Sequence, residues 1–115
     1  IEKNSVACEC IAENLENFKL YEKNQENSFH ILNYDFFDKK LSSNNKFDVV
    51  FLDPPYELMK AGKVFVRLKE LRAIKIDSLI VFESNRELLK TDGIEILRSR
   101  KIGKTHLNFL KVFDW

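Results

Sequence analysis

The sequence predicts an α/β fold of the doubly wound, Rossmann-like kind: a mostly parallel sheet flanked by helices and ending in a C-terminal antiparallel hairpin. Three observations predict it. Two compact apolar runs, FDVVFL at 47–52 and SLIVFE at 78–83, carry the β-branched and aromatic residues typical of strands buried on both faces of a parallel sheet. A stretch of helical spacing separates them, as a parallel crossover requires. Residues 94–113 then alternate in character about Gly103, the pattern of two antiparallel strands joined by a turn.

Taken in order, residues 4–20 place Cys8, Ile11, Leu15 and Phe18 on one helical face, with Asn4 or Ser5 available to cap the first turn. Residues 21–28 are polar and read as a loop. A short strand is expected at 29–32, ending near Asn33 to Asp35, and the Ser-Ser-Asn-Asn of 41–46 is a turn. The strand at 47–52 stops at Asp53-Pro54-Pro55, because proline cannot donate to a ladder. Helical spacing returns over 57–74, with Met59, Val64 or Phe65, Leu68 and Leu71 as its apolar stripe. The strand at 78–83 and a short helix at 86–89 precede the hairpin.

Composition bounds the function. The 115 residues are 44% hydrophobic, enough for one globular core, and three glycines with two prolines are too few for a linker. Apolar runs fall well short of the roughly 18 residues of a membrane span. No membrane partner is therefore expected, and a cytoplasmic location is. The formal charge of +1 hides an asymmetry. Residues 1–53 hold six basic and ten acidic side chains, residues 54–115 thirteen and eight. Cys8 and Cys10, two residues apart on a helix, point to different faces and suit reduced thiols better than a disulfide. Neither histidine stands at metal-ligand spacing from them, so no metal is expected.

The chemistry sits in Asp53-Pro54-Pro55-Tyr56, directly after an apolar strand, where ligands bind in open α/β sheets. These residue types suit the handling of an exocyclic amine on a planar ring. The Asp53 carboxylate accepts one N–H, and Pro54, with its φ fixed, aims its carbonyl at the other. The nitrogen lone pair is then directed at an electrophile, which is catalysis by positioning. Tyr56 can stack on the ring. The competing reading has Pro-Pro merely ending a strand and Asp53 capping the next helix.

With that strand, motif and second strand in place, the chain resembles the class I S-adenosylmethionine-dependent methyltransferases that carry a DPPY motif. It is most similar to the bacterial 16S ribosomal RNA guanine-N2 methyltransferases, the RsmD family. Further points of likeness are Ile1-Glu2-Lys3-Asn4 before a helix, Ile31-Leu32-Asn33-Tyr34-Asp35-Phe36, and the closing Lys101-Ile102-Gly103-Lys104-Thr105 turn. The resemblance implies transfer of a methyl group to the N2 amine of a guanine in 16S rRNA. It implies S-adenosylmethionine as cofactor, with rRNA or a small-subunit assembly particle as partner. It also implies that Glu2 binds the cofactor ribose, Asp35 its adenine amine, and that Phe36 lies beside the adenine. Asp53 would serve both cofactor and catalysis, with Pro54, Pro55 and Tyr56 completing the catalytic motif. Arg98, Arg100, Lys101 and Lys104 form the expected RNA-binding surface, with Lys60, Lys63, Arg67 and Lys69 as a further basic set. Read without the resemblance, Glu2 and Asp35 are ordinary helix-start and turn acids.

The family begins with a strand and a glycine-rich turn, yet Gly62, Gly93 and Gly103 are the only glycines and none forms G-x-G. The resemblance therefore implies a single domain over 1–115 that is the C-terminal portion of a methyltransferase lacking its first βαβ unit. Such a piece is expected to be inactive alone and to leave an apolar edge on 47–52 through which copies could associate. Two other functions fit less of the sequence: an adenine-N6 methyltransferase using the same motif, and a non-catalytic α/β module that binds nucleic acid.

Overall fold

The computed structural model describes residues 1–21, 29–55 and 61–115. The chain divides into two compact units, Ile1–Leu41 and Ser42–Trp115.

The first unit holds α1 (Ser5–Tyr21) and the segment after residue 28. Asn4 is the cap: its Oδ1 accepts from the Ala7 amide at 3.1 Å, and Glu2 Oε1 in turn accepts from the Asn4 amide at 2.7 Å. Along the expected apolar face Cys8 and Leu15 are half-buried, while Ile11 and Phe18 remain exposed. Phe18 meets Phe29 edge to face, with ring centroids 6.3 Å apart.

The strand expected at 29–32 does not form. Its backbone groups go elsewhere: the Leu32 carbonyl accepts from the amides of Glu2 and Tyr34 at 3.0 and 3.1 Å, so no ladder is built there among the described residues. The loop expected at 21–28 falls mostly outside the described residues, apart from Tyr21, which ends α1.

The second unit is a four-stranded sheet with α2 (Ala61–Glu70). Its strands are β1 (Phe47–Leu52), β2 (Ile74–Ser84), β3 (Ile94–Ile102) and β4 (Thr105–Val112), in the order β1-β2-β4-β3. β1 and β2 are parallel; β4 runs antiparallel to both β2 and β3. The carboxyl ends of β1 and β2 therefore stand at the same end of the sheet as the β3–β4 turn. Gly103, the first residue of that turn, has φ 60° while Lys104 has no positive φ, the pattern of a II′-type hairpin.

The register sorts residues onto two faces. Ile80 lies opposite Leu110, Leu110 opposite Ile96, and Val112 opposite Ile94. Ile80, Leu110, Ile94 and Val112 with Phe82 are buried on this face, where the ring centroids of Phe82 and Phe65 of α2 lie 5.2 Å apart, while Ile96 toward the sheet edge stays exposed. Val64, Ile80, Leu110 and Val112 are almost wholly buried, each contributing about 1.5–3 kcal/mol. Buried Ser78 stitches the irregular start of β2 to β1, donating to the Phe47 carbonyl at 2.8 Å and accepting from the Lys75 amide at 3.1 Å.

β1 corrects the expectation of a strand buried on both faces. Among the described residues it pairs with β2 alone, and Phe47, Val49 and Phe51, all on one face, are 47%, 48% and 78% exposed. Its composition marks it as a strand but cannot say which of its faces has a neighbour.

α2 is shorter than its periodicity predicts. It ends at Glu70, where Arg72 turns left-handed with φ 53°, and β2 begins at Ile74. The expected stripe residue Met59 lies outside the described residues. A non-glycine residue in the left-handed region costs about 1–2 kcal/mol, so exchanging exposed Arg72 for glycine is expected to raise stability by about 1 kcal/mol. Chemical denaturation reads this as a higher midpoint with an unchanged slope. The helix expected at 86–89 is also absent: four residues cannot repay helix nucleation, and the segment instead buries Leu88 while Leu89 stays exposed.

Candidate active site

Asp53 and Pro54 leave β1 at the carboxyl end of the sheet, where the sequence places them. Asp53 and Pro55 are exposed and Pro54 is half-buried; Tyr56 lies outside the described residues. The register that sets Leu52 beside Phe82 brings Asp53 alongside Glu83, the penultimate residue of β2. Two acids thus end adjacent parallel strands. Although Asp53 as a whole is exposed, partial loss of water from its carboxyl raises the pKa above its ordinary 3.8, and the negative charge of Glu83 raises it further.

Sequence alone does not single out Glu83, which reads there as the close of an apolar run. The signal available is its position: an acid ending the strand next to the one that ends in Asp53. Asn108 escapes sequence reasoning as well. It is fully buried in β4, and its Nδ2 donates to the Phe82 carbonyl at 3.1 Å, Ser84 Oγ at 3.0 Å and the His106 carbonyl at 3.3 Å. Its Oδ1 accepts from Ser99 Oγ at 2.8 Å, and Ser84 Oγ donates onward to the Arg86 carbonyl at 2.7 Å. One buried amide therefore fixes the residues on either side of Glu83. A buried polar side chain with both ends satisfied specifies geometry in this way.

Of the residues expected to hold a cofactor, Glu2, Asp35 and Phe36 belong to the first unit and Asp53 to the second. One oxygen of Glu2 accepts from the Asn4 amide, and Asp35 Oδ1 accepts from the Phe37 amide at 2.8 Å. The helix-start and turn roles that sequence alone gives these acids are thus both present. Phe36 is half-buried, its ring edge-on to Phe37 at 5.2 Å. The segments carrying Glu2 and Asp35 are tied together by Asn33, whose Nδ2 donates to the carbonyls of Glu2 and Lys3 at 3.0 and 3.1 Å. Cys8 joins this network, its thiol donating to the Glu2 carbonyl at 3.4 Å. Two carboxylates and an aromatic ring in this one unit suit a nucleoside: the carboxylates can accept from hydroxyls and an amine, and the ring can lie against a base.

The basic residues of the hairpin are exposed but do not form one patch. Arg98 and Arg100 lie opposite Phe109 and Leu107 on the face that also carries Glu83. Lys101 lies opposite His106 on the other face, and Lys104 sits in the turn. Of the basic set on α2, Lys63 and Lys69 are exposed and Lys60 lies outside the described residues. Arg67 departs from expectation: it is buried, with its guanidinium 3.2 Å from Glu70, and serves the helix rather than a phosphate surface.

Both cysteines are free, and no group of three or more metal-binding side chains occurs among the described residues. No helix among them is long and apolar enough to cross a membrane.

The protein-family profile described as "Conserved hypothetical protein 95" matches residues 1–111, and the chain belongs to that family, which is RsmD-like. It is thus a member of a methyltransferase family. A comparison with curated proteins found no match. Among solved structures, the chain is similar to a candidate methylase of Haemophilus influenzae, HI0767, with a TM-score of 0.78 and 23% identity, covering 98% of this chain and 70% of that one. It is also similar to a candidate methyltransferase of Escherichia coli, yhhF, with a TM-score of 0.79 and 16% identity, covering 99% and 61%. A conserved hypothetical protein of Streptococcus pyogenes gives 0.74 and 22%, covering 98% and 69%. At such identities these likenesses establish the fold. This chain spans between 61% and 70% of the length of those structures.

Proposed function

We infer that this protein transfers a methyl group from S-adenosylmethionine to the N2 amine of a guanine in 16S ribosomal RNA. The observation that carries the reading is topological: Asp53-Pro54 and the basic β3–β4 turn stand at the same end of one sheet. An amine-holding motif and charges suited to phosphate thus share one end of the sheet, with Arg100 on the face that carries Glu83.

The guanine amine is a poor nucleophile because its lone pair is delocalised into the ring. Asp53 accepts one of its N–H groups and the Pro54 carbonyl the other, which localises the lone pair away from the ring and toward the methyl donor. S-adenosylmethionine, when bound, would supply an electrophilic methyl on a sulfonium, the C–S electron pair being left on sulfur as the N–C bond forms. The amine proton is then lost to Asp53, whose raised pKa makes it the better acceptor. Glu2 would hold the ribose hydroxyls of the cofactor and Asp35 its adenine amine, with Phe36 alongside the ring. The base must leave any helix to be reached.

The direct test incubates the native protein with S-adenosylmethionine and small-subunit RNA, free or in assembly particles, then digests the RNA for nucleoside mass spectrometry. N2-methylguanosine is the expected product; N6-methyladenosine would select the adenine reading, and no methylated nucleoside the non-catalytic one.

The RNA surface yields a separate expectation. Replacing Arg98 and Arg100 together by alanine should weaken RNA binding at low salt and lower the slope of log affinity against log salt by about 0.7 for each single-strand phosphate that is no longer neutralised. Cofactor affinity should not change. An unaltered slope would remove these two arginines from the RNA surface.

A further inference from the structure

We propose that Glu83 reads the Watson–Crick edge of the target base, its carboxylate accepting the N1–H of the guanine whose exocyclic amine Asp53 and Pro54 hold. The proposal rests on the guanine reading given above and names the group that makes the site select guanine over adenine.

Three features support it. First, Asp53 and Glu83 directly follow Leu52 and Phe82, which are paired in the parallel register of β1 and β2, and neighbouring strands lie about 4.8 Å apart. Guanine presents N1–H and an N2 amine side by side on one edge, so two carboxylates spaced this way can each take one of two neighbouring donors. Second, Glu83 is half-buried, and its main chain is fixed from both sides by Asn108, which binds the Phe82 carbonyl and Ser84 Oγ. A specificity contact needs that rigidity, because a free side chain would follow whichever base arrived. Third, adenine carries a bare N1 lone pair where guanine carries N1–H. A carboxylate facing that lone pair gains no hydrogen bond and meets repulsion, and a site built to bond an N–H rejects a ligand that lacks it.

The same pairing has an electrostatic consequence. Glu83 adds to the upward displacement of the Asp53 pKa, so removing its charge should let Asp53 ionise at lower pH. The acid limb of the rate profile then moves down.

The test crosses a base analogue with a conservative variant. 2-Aminopurine keeps the N2 amine of guanine but has an unprotonated N1. Synthetic RNAs carrying either base at the methylated position are offered to the native protein and to its Glu83→Gln variant, and kcat/KM is measured for each. The native protein is expected to favour guanine by roughly 10- to 100-fold, the range of a hydrogen bond to a charged group. In Glu83→Gln the preference should fall to within about threefold, because the amide offers a carbonyl to N1–H and an N–H to the bare nitrogen. A guanine preference that is equally large in both proteins would overturn the proposal while leaving the guanine reading intact. Native protein that methylates neither RNA would overturn the guanine reading itself, and the proposal with it. Should the variant turn over too slowly, affinities for the two RNAs in the presence of S-adenosylhomocysteine, read for the analogue by its own fluorescence, give the same ratio without chemistry. A ratio unchanged by the substitution in that measurement likewise overturns the proposal.

Discussion

Exchanging Asp53 for alanine in the native protein is expected to lower kcat/KM for methyl transfer by roughly 10²–10³-fold or more, the cost of losing one pre-placed polar group at a reacting centre. The Asp53→Ala variant should still bind S-adenosylmethionine through the residues of the first unit, with an affinity within a few-fold of the parent by calorimetry. The reasoning is that an acceptor on the amine acts on the substrate side, holding the lone pair in line and receiving the proton. Asp53→Asn should be nearly as damaging, since an amide accepts through its oxygen but cannot take the proton. Above the raised Asp53 pKa the carboxylate is ionised and the rate is full; as pH falls through it, the rate is lost. Full turnover by Asp53→Ala would remove the motif from the mechanism.

The largest expected effect on folding is at Gly93. Its φ of 77° lies in the left-handed region, and the chain after β4 folds back over it: its carbonyl accepts from the amides of Phe113 and Asp114 at 3.0 and 3.4 Å. A Cβ there would collide with the Asp114 carbonyl oxygen and come within 2.7 Å of Trp115 Cδ1. Gly93→Ala thus adds a steric clash to the conformational cost and is expected to destabilise by about 2–4 kcal/mol. For a domain of this size that lowers Tm by roughly 10–20 °C. Gly103 is the control. It also has a positive φ, 60°, but nothing lies within 4 Å of its added Cβ, so Gly103→Ala should cost only about 1–2 kcal/mol. Equal Tm values for the two variants would contradict the account of how residues 113–115 pack on Gly93.

What is legible in the sequence follows from which interactions are local. The β3–β4 hairpin, β1, the core of β2 and the body of α2 are readable because alternation, apolar runs and 3.6-residue spacing are properties of neighbouring residues. The position of Asp53 is readable for the same reason, since Pro54 and Pro55 must end the strand before them. Features that depend on distant partners are not. Phe47, Val49 and Phe51 look like core residues, yet no run of six letters records whether a layer covers that face. Residues 29–32 have strand composition, but a strand exists only with a neighbour, and Leu32 gives its carbonyl to Glu2 and Tyr34. Glu83 matters because β2 sets it beside Asp53, a juxtaposition of residues 30 apart in sequence that only register reveals. Asn108 is one polar residue in an alternating strand, and nothing in that pattern announces the hydrogen bonds it donates across β2 and β4. The basic residues of the hairpin are readable as a group, but the irregularity between Ile96 and Arg98, which turns Arg98 and Arg100 onto the face opposite Ile96, is not.

That Asp53 and Pro54 hold a guanine amine of 16S rRNA for methylation is decided by nucleoside mass spectrometry of small-subunit RNA from cells lacking the protein, complemented with either the parent gene or its Asp53→Ala form. One N2-methylguanosine is expected to be lost on deletion, to return with the parent gene and not to return with Asp53→Ala. An N2-methylguanosine content unchanged by the deletion, or restored in full by Asp53→Ala, would contradict it.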